Sequence, residues 1–353
     1  MGRTFGTHNT KMTLNIRTQT LLISVLLACI APVWSAPPPQ PSVHPSQPTV
    51  SPFKVVAEPF PHPNENWATP TLSKTTLTPA KAFVVQTDDR PTFVRQLLRV
   101  QWRQNDPIDL YVVRPKRIAR PPTVLYLYSY PTDTHRFLLD SYCQRITQNG
   151  CAAVGFDSAL TGGRYHDRPM REWFVSQLNE SLAESAHDVQ YVLDYLQTRG
   201  DLDMAHVGMF GQGSGGAIAL LAAGADPRIQ ALDLLNPWGD WPDWLQQSAL
   251  VPQNERPSYL TPAFTHRVAG LDPLVWLPRL KSCHIRLLQF TNDKDVPFVC
   301  QEKLAKAAPA GTEIKSYPTA LNAYGVYSGG RLFQWLGRQL RVSSAPASPS
   351  PMH

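Results

Sequence analysis

The chain has little cysteine: five residues in 353, with no C-x-x-C pair and no cysteine–histidine spacing of the kind that holds a metal. That leaves no support for a zinc module, and the expectation is neither metal nor cofactor. Nor is there a run of five or more like charges, so the electrostatic footprint of a nucleic-acid binder is absent. No internal repeat is visible. Apolar length is also scarce: the run from Leu21 to Trp34 has 14 positions and includes Pro32, too few to cross a bilayer comfortably. The absence with most consequence concerns histidine. Beyond Asp293 the sequence holds only His353, its last residue.

What is present at the start reads as an export signal over residues 1–35. Lys11 and Arg17 lead into the apolar run, and small residues near Val33-Trp34-Ser35 offer cleavage before Ala36. Leu26-Leu27-Ala28-Cys29 also resembles a lipobox, which would leave Cys29 acylated. An exported protein, periplasmic or secreted, is therefore expected, with a membrane partner only through a lipid at Cys29; an uncleaved anchor is the third alternative. Without those 35 residues the chain carries 30 basic against 27 acidic side chains, a net +3 that points to no charged partner.

Residues 36–80 are expected to be a disordered tether, since positions 37–70 hold eleven prolines in 34 residues. Residues 342–353 read as a disordered tail. Between them, 81–341 is long enough for one domain with a proper core. Four cysteines lie in it. If oxidised, sequence proximity suggests 143–151 and 283–300, one of three possible pairings; otherwise they remain buried thiols.

The pattern within the domain alternates. "FVRQLLRVQW" and "IDLYVVRP" predict an antiparallel pair, and "TVLYLYSY" (123–130) is the continuous apolar run of a strand buried on both faces. A helix near 135–148, the strand "CAAVGFD" (151–157) and a helix over 182–196 stopped by Gly200 follow. Then come the strand "HVGMF", a glycine turn, a helix from Gly215, and the strand "IQALDLL" (229–235). The strand "HIRLLQF" (284–290), a helix from about 298, the strand "EIKSY" (313–317) and a helix near 329–341 complete the series. This predicts an α/β fold with a mostly parallel, doubly wound sheet, which binds ligands at the carboxyl ends of its strands. Residues 238–282 interrupt it as a helical cap insertion. Trp238, Trp241 and Trp244 there are cap core, or alternatively line a cleft.

The stretch "HVGMFGQGSGGAIALLAAG" (206–224), with "HDVQYVLDYLQTR" and "LDPLVWLPRL", resembles the α/β-hydrolase superfamily over roughly residues 92–340. Its dienelactone-hydrolase, acetyl-esterase and prolyl-oligopeptidase-like branches are the nearest. The resemblance implies a nucleophile elbow of the form h-G-x-S-x-G-G. Laid on "FGQGSGG", Gly211 and Gly215 take the two small positions and Gly213 takes the nucleophile's place. Ser214 then falls where only a backbone N–H is used for the oxyanion hole. In the alternative register Ser214 is the nucleophile, with bulky Gln212 two residues before it.

The same resemblance places the triad acid at Asp293 in "QFTNDKDVPF", with Asp295 two residues on, and the base at Asn322 in "YPTALNAY". Tyr130 would lie on the oxyanion side of the cleft. Two other histidines, His135 and His166, could face that cleft, and Asp157, Arg164, His166, Asp167 and Arg168 form either a polar ligand site or an ion-pair network. Glycine supplies no nucleophile and asparagine no proton shuttle. The sequence thus predicts an exported hydrolase-fold protein that has lost its Ser–His pair and acts as a binding or structural module for a small-molecule or protein ligand. The alternative is an active serine hydrolase of acyl ester or peptide bonds, using Ser214 with a histidine from elsewhere.

Overall fold

The structure, a computed structural model, describes residues 65–72, 82–103, 106–161, 164 and 175–340. All of them belong to one unit, residues 57–353. The expected signal, Cys29, His166, Asp167, Arg168 and the tail lie outside the described residues.

Nine strands form a single sheet: β1 (Phe83–Asp89), β2 (Phe93–Arg103), β3 (Asp106–Pro115), β4 (Pro122–Leu127), β5 (Ala152–Phe156), β6 (Asp203–Gln212), β7 (Ile229–Leu235), β8 (His284–Phe290) and β9 (Glu313–Tyr317). Their order is β1-β2-β3-β5-β4-β6-β7-β8-β9. The first four in that order pair antiparallel and the rest parallel. β1 is an element the sequence did not suggest. Its "FVVQTDD" is almost wholly exposed and shows no buried alternation, so ladder hydrogen bonds to β2 hold it at the edge.

Alternating side chains divide the core between the two faces of the sheet. Leu125 and Leu127 of β4 and Met209 of β6 face helices α2 (Leu178–Gln197) and α3 (Ser214–Ala225). Tyr126 and Phe210 face the other way, towards α1 (Asp140–Thr147) and the closing helix Gln334–Gln339. α3 is apolar all round, "SGGAIALLAAGA", as a helix buried on every side must be. β4 lies between β5 and β6, so the chain reverses its direction of travel across the sheet there. The carboxyl ends of β4 and β6 flank this switch point, where open α/β sheets place their ligands.

Between β7 and β8 the insertion folds as short helices, among them Trp241–Gln247 and Pro262–Ala269. Trp238, Trp241 and Trp244 are fully buried, with ring centroids 5.0 Å apart for Trp238–Trp244 and 5.7 Å for Trp241–Trp244. They are cap core.

One expectation needs correction. Residues 65–72 fall in the stretch read as a tether, yet they are docked. Trp67 packs on the core, the Leu72 N–H donates to Gln190 Oε1 (3.2 Å) and Gln190 Nε2 donates to the Pro70 carbonyl (2.7 Å). The proline count hid one buried carboxylate, Glu65, whose partners are on the domain. Of the two alternatives for the cysteines the thiols hold: Cys143, Cys151, Cys283 and Cys300 are free, and all but the partly buried Cys283 are buried. Cys143 is instead satisfied by donating to the Phe137 carbonyl at 3.1 Å.

Candidate functional site

β6 ends at Gln212 and α3 begins at Ser214, so Gly213 alone makes the turn between them. Its φ of 53° and ψ of −117° are a conformation that only glycine adopts without strain. The flanking glycines permit a close approach. A Cβ on Gly211 would stand 2.6 Å from the Gly215 carbonyl oxygen, and one on Gly215 would stand 2.4 Å from that of Leu127. The tight positions are therefore 211 and 215, and the apex midway between them is Gly213.

The space above the apex is filled. A Cβ on Gly213 would lie 2.2 Å from Ser129 Oγ, 2.7 Å from Ser129 Cβ and 3.2 Å from Trp238 Nε1. Ser129 follows β4 and Trp238 opens the cap, so two segments close over the atom that glycine lacks.

Ser214 is one residue into the helix and has no exposed surface. Its Oγ accepts the backbone N–H of Tyr130 at 3.0 Å. In α/β hydrolases an N–H from the loop after this strand helps to bind the oxyanion. Tyr130 lies in the corresponding loop of this chain, and its N–H is taken by the Ser214 hydroxyl.

A cavity of about 190 Å³ opens beside the apex, lined by Ser129, Tyr130, Gln212, Gly213, Asn236, Asp293 and Asp295 among others. Asp293 sits after β8, where the resemblance put the acid. Its Oδ1 accepts the N–H groups of Asp295 (2.7 Å) and Val296 (3.0 Å), so it closes its own loop. Partial burial and the charge of Asp293 hold the Asp295 carboxyl above its ordinary range. Asn236, only 4% exposed, adopts φ 46°. Its Oδ1 accepts from the Phe290 N–H, while its Nδ2 has no hydrogen-bond partner among the described residues. A buried donor left unpaired is costly unless a ligand or water completes it.

Among the described residues no histidine lines this cavity. Asn322 does not line it either. It is exposed, and its Oδ1 accepts from Thr319 Oγ (2.7 Å) in the N-terminal cap of the helix Ala320–Val326. His135 is directed elsewhere. Its side chain is 77% exposed, pairs with Asp133 at 2.7 Å and borders a separate cavity with Asp106, Asp157 and Arg164.

Arg164 belongs to a buried ionic network. It reaches Asp106 (2.6 Å), Asp188 (2.7 Å), Glu184 (3.2 Å) and the carbonyl of Asp157 (2.9 Å). Arg103 adds contacts to Asp188 and, at 2.6 Å, to Glu65. Burial and the charge of Asp188 push Glu184 up to about 8 against the pull of Arg164 and Arg103. Burial likewise raises the Asp157 carboxyl.

Sequence reasoning missed Ser129 and Asn236 at the apex. For Asn236 a signal existed, an Asn-Pro step directly after a strand, which marks a turn. Ser129 carries none, because its contact depends on how β4 and β6 are juxtaposed.

No protein-family model and no curated protein matches the chain. Solved structures do. The chain is similar to acetyl xylan esterase 1 from Thermoanaerobacterium sp., with a TM-score of 0.57 and 14% identity over 73% of this chain and 88% of that one. It is similar to an acetyl xylan esterase from Paenibacillus sp. R4 at TM-score 0.53 and 16% identity, covering 67% of this chain and 81% of the other. A cold-adapted esterase from an Arctic intertidal metagenomic library gives TM-score 0.52 and 13% identity over 74% of this chain and 100% of its own. At such identities the likeness establishes the fold, and the fold is that of the α/β hydrolases.

Proposed function

We propose that this chain is an exported α/β-hydrolase-fold protein that no longer performs Ser–His acyl transfer and uses the elbow pocket to bind a ligand. The observation that carries this reading is the apex itself, with glycine at position 213 and Ser129 occupying the space beside its Cα. Loss of a triad serine or histidine costs on the order of 10⁶ in turnover in subtilisin, and an oxyanion hole with substrate binding retains about 10³–10⁴ over water. Here the N–H of Tyr130 is also engaged by Ser214, which removes part of that residue of activity.

The ligand follows from the lining. Asp293 and Asp295 accept, Gln212 and Asn236 can donate, and Trp238 and Phe290 offer ring faces. This suits a hydroxyl- or amine-bearing group. Two of the similar structures are acetyl xylan esterases by name, and a hydroxylated ligand accords with that ancestry. The cavity is smaller than the usual 300–1,000 Å³ of small-molecule sites, so it takes one group of a ligand rather than a whole one.

The test is labelling of the full chain with a fluorophosphonate, read by intact mass. We expect no adduct, because Ser214 has no exposed surface and, among the described residues, no histidine lines the elbow pocket. An adduct that disappears in Ser214→Ala would overturn the proposal and make the chain a serine hydrolase.

A further inference from the structure

A second cavity, of about 300 Å³, touches the elbow pocket only through Gln212 and lies on the Phe210 side of the sheet. Its walls are aromatic: Tyr128, Tyr324, Phe210 and Phe333 all line it. Two arginines, Arg136 and Arg145, stand among those rings, and neither Asp nor Glu lines the cavity. Neither guanidinium forms an ion pair among the described residues, whereas Arg95, Arg103, Arg164 and Arg286 all do. Two cations sharing one pocket without a counter-charge repel each other, and an anion relieves that.

The geometry narrows the anion further. The Arg136 guanidinium carbon lies 3.7 Å from the Tyr128 ring centroid, over its face. A stacked guanidinium points its N–H groups outwards along its own plane, where a planar carboxylate accepts two of them side by side. A ring attached to that carboxylate then runs on against the neighbouring aromatic faces, at the offset or edge contacts such rings favour. The volume suits a single-ring ligand, at the lower end of the usual range.

We propose that this pocket binds a small aromatic carboxylate, with its carboxylate between Arg136 and Arg145 and its ring against Tyr324 and Phe333. The site is separate from the elbow pocket and does not rest on the function proposed for it.

The test uses the full chain titrated with benzoate by calorimetry or ligand-observed NMR, with acetate and benzyl alcohol in parallel. Saturable benzoate binding is expected, weakened by salt and weakened about tenfold by Arg145→Gln, the loss of one charge-assisted bond. Arg145 is exposed and carries no ion pair, so this variant keeps the fold where Arg136→Gln, which unstacks Tyr128, has a greater chance of disturbing it. Acetate and benzyl alcohol should bind at least about ten times more weakly. Absence of saturable benzoate binding, or binding indifferent to Arg145→Gln, overturns the proposal. Acetate binding as well as benzoate overturns the role of the rings, and benzyl alcohol doing so overturns that of the arginines.

Discussion

Ser129 stands where the side chain of residue 213 would begin: its Cβ is 2.7 Å from the position of a Cβ on Gly213. Real carbon atoms do not approach so closely, so the two positions are coupled. A serine at 213 and the present serine at 129 exclude each other. The apex is therefore packed around its glycine.

This coupling determines what reversion would do. Gly213→Ser alone is expected to destabilise the protein by about 1–3 kcal/mol through overpacking, with strain at positive φ in addition. Ser129→Gly in the same chain should recover part of that loss, whereas Ser129→Ala should not, because it keeps the offending Cβ. The measurement is a denaturant midpoint for each variant and the double-mutant coupling between them. If the single and double variants simply add, the two side chains do not compete.

The fold was legible because the strands at its centre leave little choice. "TVLYLY" and "HVGMF" are apolar on successive residues, which fits only a sheet covered on both faces, and a glycine turn must join the second to its helix. Glycines at 211 and 215 bracket three residues with Gly213 midway, and Gly213 is the residue of the turn with positive φ. Whatever required knowing which distant segments meet was hidden. Ser129 over Gly213 is a contact across 84 residues, and Glu65 inside a proline-rich stretch gives no sign that Arg103 and His187 await it. β1 was hidden for another reason. Its side chains are exposed on both faces, so burial leaves no periodic mark on its sequence.

Glu65 supplies the second prediction. Its side chain is fully buried, held by Arg103 at 2.6 and 2.8 Å and by His187 Nδ1 at 2.8 Å. Burial alone would raise its pKa, but the bonds from His187 and Arg103 outweigh it and hold the carboxyl below its ordinary value. Glu65→Ala leaves a buried guanidinium short of a partner, which costs about 3–5 kcal/mol in comparable pairs. The local consequence is release of residues 65–72, with Trp67 leaving the core. Limited proteolysis should cut Glu65→Ala within or next to this segment at protease levels that leave the parent chain intact, and Trp67 fluorescence should shift to the red. Equal proteolysis of both proteins would show that Glu65 does not anchor the segment.

Glu184 makes the third, through pH. Its folded pKa of about 8 exceeds the ordinary 4.5, because burial and Asp188 disfavour its charge more than Arg164 and Arg103 favour it. A group raised in this way contributes stability in full below its unfolded pKa, and that contribution is lost as pH rises from about 4.5 to about 8. Glu65 and Asp188, both lowered, act with the opposite sign and lose their contribution as pH falls below their unfolded values. The parent chain alone therefore mixes the two trends, and the difference from Glu184→Gln separates them. Glutamine keeps an oxygen for Arg164 and removes the titrating proton. Near pH 5 the variant and the parent should unfold at similar temperatures. At pH 9 the variant should be the more stable by on the order of 1 kcal/mol, a rise of about 2–4 °C for a domain of this size. A difference that stays constant from pH 5 to 9 would mean that Glu184 is already ionised in the folded protein and that the two arginines neutralise all the carboxylates around them.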